Sequence, residues 1–423
     1  MKIIALAVFA LTYVLLLALP RFRVYVALCA AAIFVAIGVV PIGEAFFAVD
    51  WNVILMIMGT MGTVWLFIRS GMPALLSDKI IAKMPDARWA TFALALFAGL
   101  ISAFVDNVAT VLIVAPVAIA IAKSLDMSPV PMVITIAVFS NLEGMATLVG
   151  DTTSILLGGY ADMDFLDFFI FEGKMGLFFI VQIAALAAGV VLLYLMRKDN
   201  WPIQQRGNHI VKDYFPTFLL LGTVVLLICA SFLPEKPQVT NGLICTGLFA
   251  LGLLREMGKS RESGLFARAM KEIDWATLLL LCGLFIVIEG LRQTGIIEDI
   301  SVLFTRISGD NVFLMYTLLV WLSVLFSAFI DNIPYVATML PVVTGIAAIM
   351  GIEPYVLYFG LMTGATLGGN LTPIGASANI TAVGILRKGG YKVSTWDFVK
   401  LGVPITLTAV LVGYGLIWAM YGI

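Results

Sequence analysis

The chain has 423 residues, of which 61 % are hydrophobic and 12 % are charged, and its mean hydropathy is +1.07. A soluble domain averages about 45–50 % apolar and about 25 % charged residues, so these values exclude a soluble globular protein and indicate an integral membrane protein. The 25 Lys and Arg residues balance 26 Asp and Glu residues at a net charge of -1, so we expect no nucleic-acid partner.

The N-terminal apolar run resembles a signal peptide but is followed by Arg21 and Arg23 and has no small-residue cleavage site. We therefore expect an uncleaved first helix. Apolar runs continue along the chain and predict further membrane helices. Together with the first they cover about 3–20, 24–42, 52–69, 89–122, 131–158, 175–196, 214–233, 240–254, 275–291, 312–351, 353–386 and 399–421.

Three of these runs exceed the roughly 20 residues that cross a bilayer once. Two of them are interrupted near the middle by the pairs Asp106-Asn107 and Asp331-Asn332, so each is predicted to be a helical hairpin that enters and leaves on the same side. The third contains the Gly-, Pro- and Asn-rich stretch Gly368–Gly375, and the run at 131–158 contains Gly150–Ser154. These stretches predict discontinuous membrane helices, since irregular backbone at membrane depth must face protein or a watery cavity.

The distribution of basic residues predicts the orientation. If the loop with Arg21 and Arg23 is cytoplasmic and the two hairpins do not cross, five of the 25 Lys and Arg residues remain outside: Lys2, Lys174, Lys236, Arg292 and Arg306. That bias satisfies the positive-inside rule. We therefore expect a bacterial or archaeal inner (plasma) membrane protein with its N-terminus outside.

The sequence contains few residues that could bind a metal or act in catalysis. His209 is the only histidine and lies in a polar loop, which argues against a His-based metal site or triad. The four cysteines lie in apolar runs without a C-x-x-C pattern, as packing residues do. We expect no enzyme activity, no metal site and no cofactor other than a coupling ion.

An internal repeat links the two hairpins. Ser102-Ala-Phe-Val-Asp-Asn-Val recurs as Ser327-Ala-Phe-Ile-Asp-Asn-Ile. Asp50-Trp51 upstream matches Asp274-Trp275, and Asp167-Phe168 downstream matches Asp397-Phe398. Between them, Ala146-Thr147-Leu148 matches Ala365-Thr366-Leu367, an alignment that pairs Asp151 with Asn370. Four matches in the same order indicate duplication.

The repeat and the orientation together predict the domain organisation. The hairpins would enter from opposite sides, so the repeats are inverted, an arrangement typical of secondary transporters with a site at the repeat interface. The predicted fold is an all-α polytopic membrane protein with two inverted repeats, each with a re-entrant helical hairpin and a discontinuous membrane helix. Its parts are N-terminal scaffold helices at 1–49, a first inverted repeat at 50–198, linking helices and cytoplasmic loops at 199–273, and a second inverted repeat at 274–423.

Five carboxylates fall within the membrane runs, and burying each charge costs at least about 2.5–3.5 kcal/mol. Such burial is offset if the groups are protonated, bind a cation or face water. We predict that the hairpin tips and the broken helices form one site for a solute and an ion, because helix N-termini suit anions and oxygen groups suit hard cations. The site residues are Asp106, Asn107, Asp151, Thr152, Thr153, Ser154, Asp331, Asn332, Asn370, Thr372, Ser377 and Asn379. For Asn141, Glu143 and Glu289, coupling and purely structural roles stay open.

Several motifs resemble the ion transporter superfamily, and most closely its arsenite permease, sodium–proton antiporter and P-protein branch, which has a citrate-transporter-like domain. They are Phe104–Pro116, with Asp-Asn-Val at its start, and the second-repeat stretches Asp331–Pro341 and Gly369–Gly375. Gly150-Asp151-Thr-Thr-Ser is similar to that branch's Gly-Asp-Pro-Pro-Asn but departs from it at three positions. The resemblance covers roughly 50–420.

The resemblance implies a transport domain of hairpins and broken helices beside a scaffold domain. It implies a dimeric secondary transporter with an elevator-like movement, coupled to H⁺ or Na⁺, whose partners are membrane lipid and a small solute. Relatives carry arsenite, Na⁺ or di- and tricarboxylates such as citrate. Carboxylate-carrying relatives have Ser-Asn-Thr at the tips, where this chain has Asp-Asn-Val and Asp-Asn-Ile, and extra anions oppose a dianionic solute. We therefore expect a small inorganic solute such as arsenite or Na⁺, with a carboxylate transporter and a passive ion channel as the alternatives.

Overall fold

The computed structural model describes residues 1–202, 210–233, 236–259 and 264–422, so His209 lies outside the described residues. The described chain is almost entirely helical, in agreement with the predicted all-α class. Its first half runs through α1 (Lys2–Ala18), α2 (Arg23–Ala36), α3 (Ile42–Ala48), α4 (Trp51–Arg69), α5 (Met72–Ile81), α6 (Ala87–Ser102), α7 (Asn107–Ser124), α8 (Val130–Glu143), α9 (Thr152–Tyr160) and α10 (Leu177–Leu195). A short antiparallel hairpin, β1 (Ile170–Phe171) and β2 (Lys174–Met175), precedes α10.

The second half has the same number of described helices. They are α11 (Phe215–Ser231), α12 (Thr240–Lys259), α13 (Leu265–Glu272), α14 (Trp275–Gln293), α15 (Ile296–Ser308), α16 (Val312–Ser327), α17 (Asn332–Met350), α18 (Tyr355–Gly368), α19 (Ser377–Lys388) and α20 (Thr395–Tyr421). Six helices of the described chain are long and apolar enough to cross a membrane, or seven if the bent pair α15 and α16 forms one span. The short helices α5, α13 and α15 fall between the predicted apolar runs, because charged residues interrupt each of them.

The helices around the site repeat with a single offset. α16, α17, α18 and α19 each start 225 residues after α6, α7, α8 and α9. Each half breaks its chain twice: a non-helical turn separates α6 from α7 and α16 from α17, and a 3₁₀ turn followed by extended residues separates α8 from α9 and α18 from α19. Both predicted tips and both predicted broken helices are therefore present.

One part of the sequence alignment is wrong. The Thr147 hydroxyl donates to the carbonyl oxygen of Ala103, and the Thr372 hydroxyl donates to that of Ala328, so Thr147 corresponds to Thr372. At this offset Asp151 corresponds to Ala376, and each begins its helix as the N-cap residue. The Ala-Thr-Leu match six residues away is a coincidence of short apolar sequences. Asp151 therefore has no acidic or amide counterpart in the second half.

The helices α4 and α14 are also equivalent, with an offset of 224, and run in opposite directions. In each, an Asp caps the first turn and the following Trp indole donates to a carbonyl five residues earlier. Gln293 at the end of α14 donates to Glu44, which precedes α4. Ile68 near the end of α4 lines the same cavity as Asp274 at the start of α14. The start of α4 therefore lies near the end of α14, and the end of α4 lies near the start of α14.

Two glycines allow each broken helix to touch its hairpin tip. A Cβ on Gly150 or on Gly375 would lie under 3.0 Å from three backbone carbonyl oxygens. Backbone oxygens held in a packed core cannot move aside, and overpacking costs about 1–3 kcal/mol.

We therefore expect Gly150→Ala and Gly375→Ala each to lower the apparent melting temperature of the purified protein, measured by size exclusion after heating. Gly384→Ala is the matched control, since a Cβ there meets nothing within 4 Å. An unchanged melting temperature in both tip variants would contradict the described contact.

Candidate functional site

Each hairpin tip carries a carboxylate at the start of a helix. Asp106 accepts hydrogen bonds from the backbone N–H groups of Val108 (3.0 Å) and Ala109 (3.1 Å), and so caps α7. Asp331 accepts from the N–H of Ile333 (3.2 Å) and caps α17 in the same way. The caps satisfy backbone donors that would otherwise be orphaned inside the protein, and the positive helix ends favour both negative charges.

The first broken helix adds a third carboxylate. Asp151 accepts from the backbone N–H of Thr152 (2.7 Å) and the hydroxyl of Thr153 (3.1 Å), and it is 4 % exposed. In the second half, Ser377 stands where Thr152 stands in the first, and its hydroxyl donates to Asp331 (3.3 Å). In the second half the broken helix therefore contacts the hairpin tip.

A chain of buried asparagines connects the two halves. Asn107 donates to the side-chain oxygen of Asn141 (3.0 Å), and Asn141 donates to the Thr366 carbonyl (2.7 Å) and to Asn370 (3.1 Å). Asn379 donates to Asn370 (3.3 Å) and to two carbonyl oxygens of the second break. Thr147 of the first break donates to Ala103 and Thr372 of the second to Ala328, so these bonds and the asparagines link the tips and broken helices into one hydrogen-bonded unit, the asparagine-linked unit.

The first tip opens on a cavity of about 160 Å³ with an acidic lining. Its carboxylates are Asp106, Asp151, Glu272 and Asp274, and among the described residues no Lys or Arg lines it. The remaining wall is supplied by α4, α7, Thr277, and the second tip. Four carboxylates around one small cavity produce a negative potential that attracts cations and repels anions.

The second tip differs because it is paired with an arginine. Arg23 lies 2.5 Å from Asp331 through its Nη1, and the two side chains are 25 % and 9 % exposed. An adjoining cavity of about 260 Å³ is lined by Arg21, Arg23 and Asp331, and it shares Asp274 and three further residues with the first. Arg23 begins α2, and its long side chain reaches the Asp331 carboxylate from the helix end.

The structure separates the predicted site residues into three groups. Those that line the first cavity are Asp106, Asn107, Asp151, Thr152, Asn332 and Ser377, and Asp331 lines the second. The polar side chains of Thr153, Ser154, Asn370, Thr372 and Asn379 instead bond to neighbouring groups of the two breaks.

Two predicted coupling residues lie away from both cavities. Glu143 accepts from Gln182 of α10 (2.6 Å) and packs against Gly99. Glu289 bonds to Gln293 (3.0 Å) and lies 3.6 Å from Arg292, about 22 Å along α14 from Asp274 at 1.5 Å per residue. In this conformation neither can contact a solute at the tips.

Three other cavity residues, Arg23, Glu272 and Asp274, were missed because they lie at helix ends outside the apolar runs. Thr277 was missed because a single threonine within an apolar run gives no distinct signal. An additional signal is the amide nitrogen of Asn332, which is buried and has no partner within the described residues. Its counterpart Asn107 bonds to Asn141, but Thr366 stands at the position equivalent to Asn141. Within the described residues, the Asn332 amide therefore lacks the partner that its counterpart has. No three His, Cys, Asp or Glu side chains of the described chain cluster as metal ligands.

Comparison with known proteins adds the relationships of the whole chain. The sequence pattern of the CitMHS family, described as citrate transporter, matches residues 13–360. An uncharacterized transporter of Mycobacterium tuberculosis is 30 % identical over 438 residues, covering 100 % of this chain and 99 % of that protein. The 46 kDa membrane protein of Mycobacterium leprae is 30 % identical over 435 residues with the same coverage. The human P protein is 26 % identical over 442 residues, covering 86 % of this chain and 53 % of the P protein.

Two solved structures share the fold. The YdaH transporter of Alcanivorax borkumensis superposes with a TM-score of 0.62 at 16 % identity, covering 95 % of this chain and 98 % of YdaH. MtrF of Neisseria gonorrhoeae, described among antimetabolite efflux pumps, superposes with a TM-score of 0.56 at 17 % identity, covering 90 % and 81 %. Both support the transporter fold, and the predicted resemblance to the ion transporter superfamily is confirmed.

We expect Asn141→Leu to lower the melting temperature of the purified protein, because it removes the amide that joins the two halves. An unsatisfied buried partner costs about 1–3 kcal/mol. The substitution leaves the Asn107 amide and the Thr366 carbonyl without these bonds and removes one of the two bonds to the Asn370 side-chain oxygen. Thr363→Val is the control, since the Thr363 hydroxyl is buried without a partner among the described residues and its loss breaks no bond. Equal melting temperatures for the two variants would show that the asparagines do not hold the halves together.

Proposed function

This chain belongs to the CitMHS citrate transporter family, and on that premise we propose that it is a secondary active transporter coupled to H⁺ or Na⁺. It is an integral membrane transporter and not an enzyme. We place it in a bacterial plasma membrane with the N-terminus outside, which the basic-residue bias and the mycobacterial relatives support.

The acidic cavity at the first tip is the observation that carries the proposal. Asp106 and Asp151 face it together with Asp274 and Glu272, while no basic side chain of the described residues lines it. Four negative charges in a confined space are stable only when cations or protons compensate them. We propose that the coupling ion binds between Asp106 and Asp151, and that the solute is small and inorganic, such as arsenite or Na⁺ itself.

A carboxylate solute such as citrate is the second candidate. Two observations favour it: the family is described as citrate transporter, and the adjoining cavity is lined by Arg21 and Arg23. The Asn332 amide, which has no partner within the described residues, lines the first cavity next to it. A carboxylate could accept hydrogen bonds from guanidinium and amide groups. In that case the coupling cations at the first tip would offset the charge that the anion meets on entry.

The rigid asparagine-linked unit favours a carrier over a channel. The tips and broken helices are tied to one another, while the arginine at the second tip comes from α2, outside that unit. Such a unit can move as one body past the remaining helices, in an elevator-like alternation of access. A channel would instead need an open path lined by fixed filter groups.

Reconstituted protein in liposomes separates these candidates. A pH or Na⁺ gradient is imposed, and uptake of arsenite, Na⁺ and citrate is followed with labelled solute. We expect gradient-driven, saturable uptake of one class together with counterflow from preloaded vesicles. Ohmic single-channel currents without counterflow would identify a channel, and no gradient-driven flux of any class would refute the proposal.

We expect Asp106→Asn to lower gradient-driven uptake at least about tenfold, which corresponds to about 1.4 kcal/mol of lost ion binding. Asparagine still accepts the two N–H bonds at the cap, so the variant should fold. Asp310→Asn, at an exposed acid away from both cavities, is the control and should transport normally. Full gradient-driven uptake by the Asp106 variant would exclude this carboxylate as the coupling site.

A further inference from the structure

The first tip lies beside the C-terminal part of α4, whereas the second tip lies beside the start of the equivalent helix α14. The first tip shares its cavity with the C-terminal part of α4, where Val108 and Val64 both line the wall. The second tip lies at the start of α14, where Ile333 and Thr277 line a wall together. Val108 corresponds to Ile333, but Val64 corresponds to Ile288, which is 11 residues beyond Thr277. The equivalent halves therefore make inequivalent contacts.

A second conformation results if each tip takes the position along its own helix that is equivalent to the present position of the other tip. The second tip would move from Thr277 to Ile288, and the first tip from Val64 to Val53, the counterpart of Thr277. Each move covers 11 residues of helix, about 16 Å at 1.5 Å per residue. Because α4 and α14 run in opposite directions, the two moves have the same direction through the membrane. A single rigid displacement of the asparagine-linked unit therefore carries both tips to their new positions.

The displaced second tip would meet a different arginine. Ile68 of the first cavity corresponds to Arg292, and Trp65 corresponds to Glu289. Arg292 is 73 % exposed at its side chain and lies 3.6 Å from Glu289, so its guanidinium has surface free for a second carboxylate. We propose that Asp331 exchanges partners during transport, bound to Arg23 in the present conformation and to Arg292 in the opposite one.

The first tip meets no such partner in the exchanged conformation. A Cβ on Gly283 would touch the Ala27 backbone, and one on the equivalent Gly59 would touch that of Cys245. Ala27 of α2 and Cys245 of α12 are therefore equivalent positions. Arg23 lies four residues before Ala27 and Asn241 lies four residues before Cys245, so Asn241 is the counterpart of Arg23. Its side-chain oxygen is buried and has no partner within the described residues. Asp106 would therefore meet an amide where Asp331 meets an arginine.

The carboxylates of Asp331 and Asp106 therefore have different roles in transport. Arginine offsets the charge of Asp331 at both ends of the displacement, so neither end state needs an ion from solution at that tip. Asp106 has no arginine at either end, and its charge is left for the coupling ion. Arg23 and Arg292 are thus positioning residues, and this inference rests on the proposed carrier function.

Cysteine cross-linking tests the exchange without any solute. In the full chain with Cys29, Cys229, Cys245 and Cys282 replaced by alanine, one variant carries V64C and V108C and a second carries I288C and I333C. The first pair reports the present conformation and the second the opposite one. We expect a short bismaleimide to link both pairs in membranes.

Substitution of the arginines should shift the two yields in opposite directions. R292Q should lower the yield of the I288C/I333C pair by at least about twofold, the scale of one partly exposed ion pair, and raise that of V64C/V108C. R292K should restore both yields, and R23Q should have the reverse effect. A purely structural role would lower neither yield selectively.

Two results would overturn the proposal: I288C/I333C failing to cross-link in every variant while V64C/V108C does, or R292Q leaving both yields unchanged. The outcome is independent of the transport assay. Responsive cross-linking in a protein that moves no tested solute would refute the proposed function and support the exchange. Gradient-driven uptake without the cross-linking response would do the opposite.

Discussion

The structure depends on the placement of carboxylates at helix N-termini inside an apolar protein. Asp106 and Asp331 each cap a helix that begins within the membrane run, and Asp151 caps the helix after the first break. The caps satisfy backbone donors at the breaks and bring negative charge to the positive ends of helices, which reduces the cost of burying it. These bonds leave the other side of each carboxylate directed at a cavity. The carboxylates that the fold requires as helix caps therefore also form the site.

Much of this arrangement could be predicted from the sequence. Asp-Asn pairs in the middle of apolar runs too long for one crossing predict a break, because an uncompensated charge is not tolerated in a continuous lipid-facing helix. The repeat of Ser102–Val108 at Ser327–Ile333 then predicts that two breaks are equivalent. The structure has both tips and both broken helices at these positions.

What could not be predicted depends on contacts between distant segments. Arg23 sits at a helix end, where an arginine ordinarily faces water, and only packing of α2 against α14 brings it to Asp331. Short apolar triplets recur by chance, so the alignment of Asp151 with Asn370 was wrong, whereas the hydrogen bonds of Thr147 and Thr372 identify the true register. The role of Glu289 stayed open between coupling and structure, because the sequence gives its position along α14 but not the level of the tips beside that helix.

The departures from symmetry carry the functional argument. A perfect repeat would give both tips the same charge and partners, and neither could be assigned to the ion. In the alignment of the two halves, Ala376 corresponds to Asp151, Thr366 to Asn141, and Asn241 to Arg23. The first two differences place an additional carboxylate and a satisfied amide at the first tip. The third places the compensating cation at the second, so the duplicated scaffold supplies two equivalent positions and the substitutions make one of them dependent on an ion from solution.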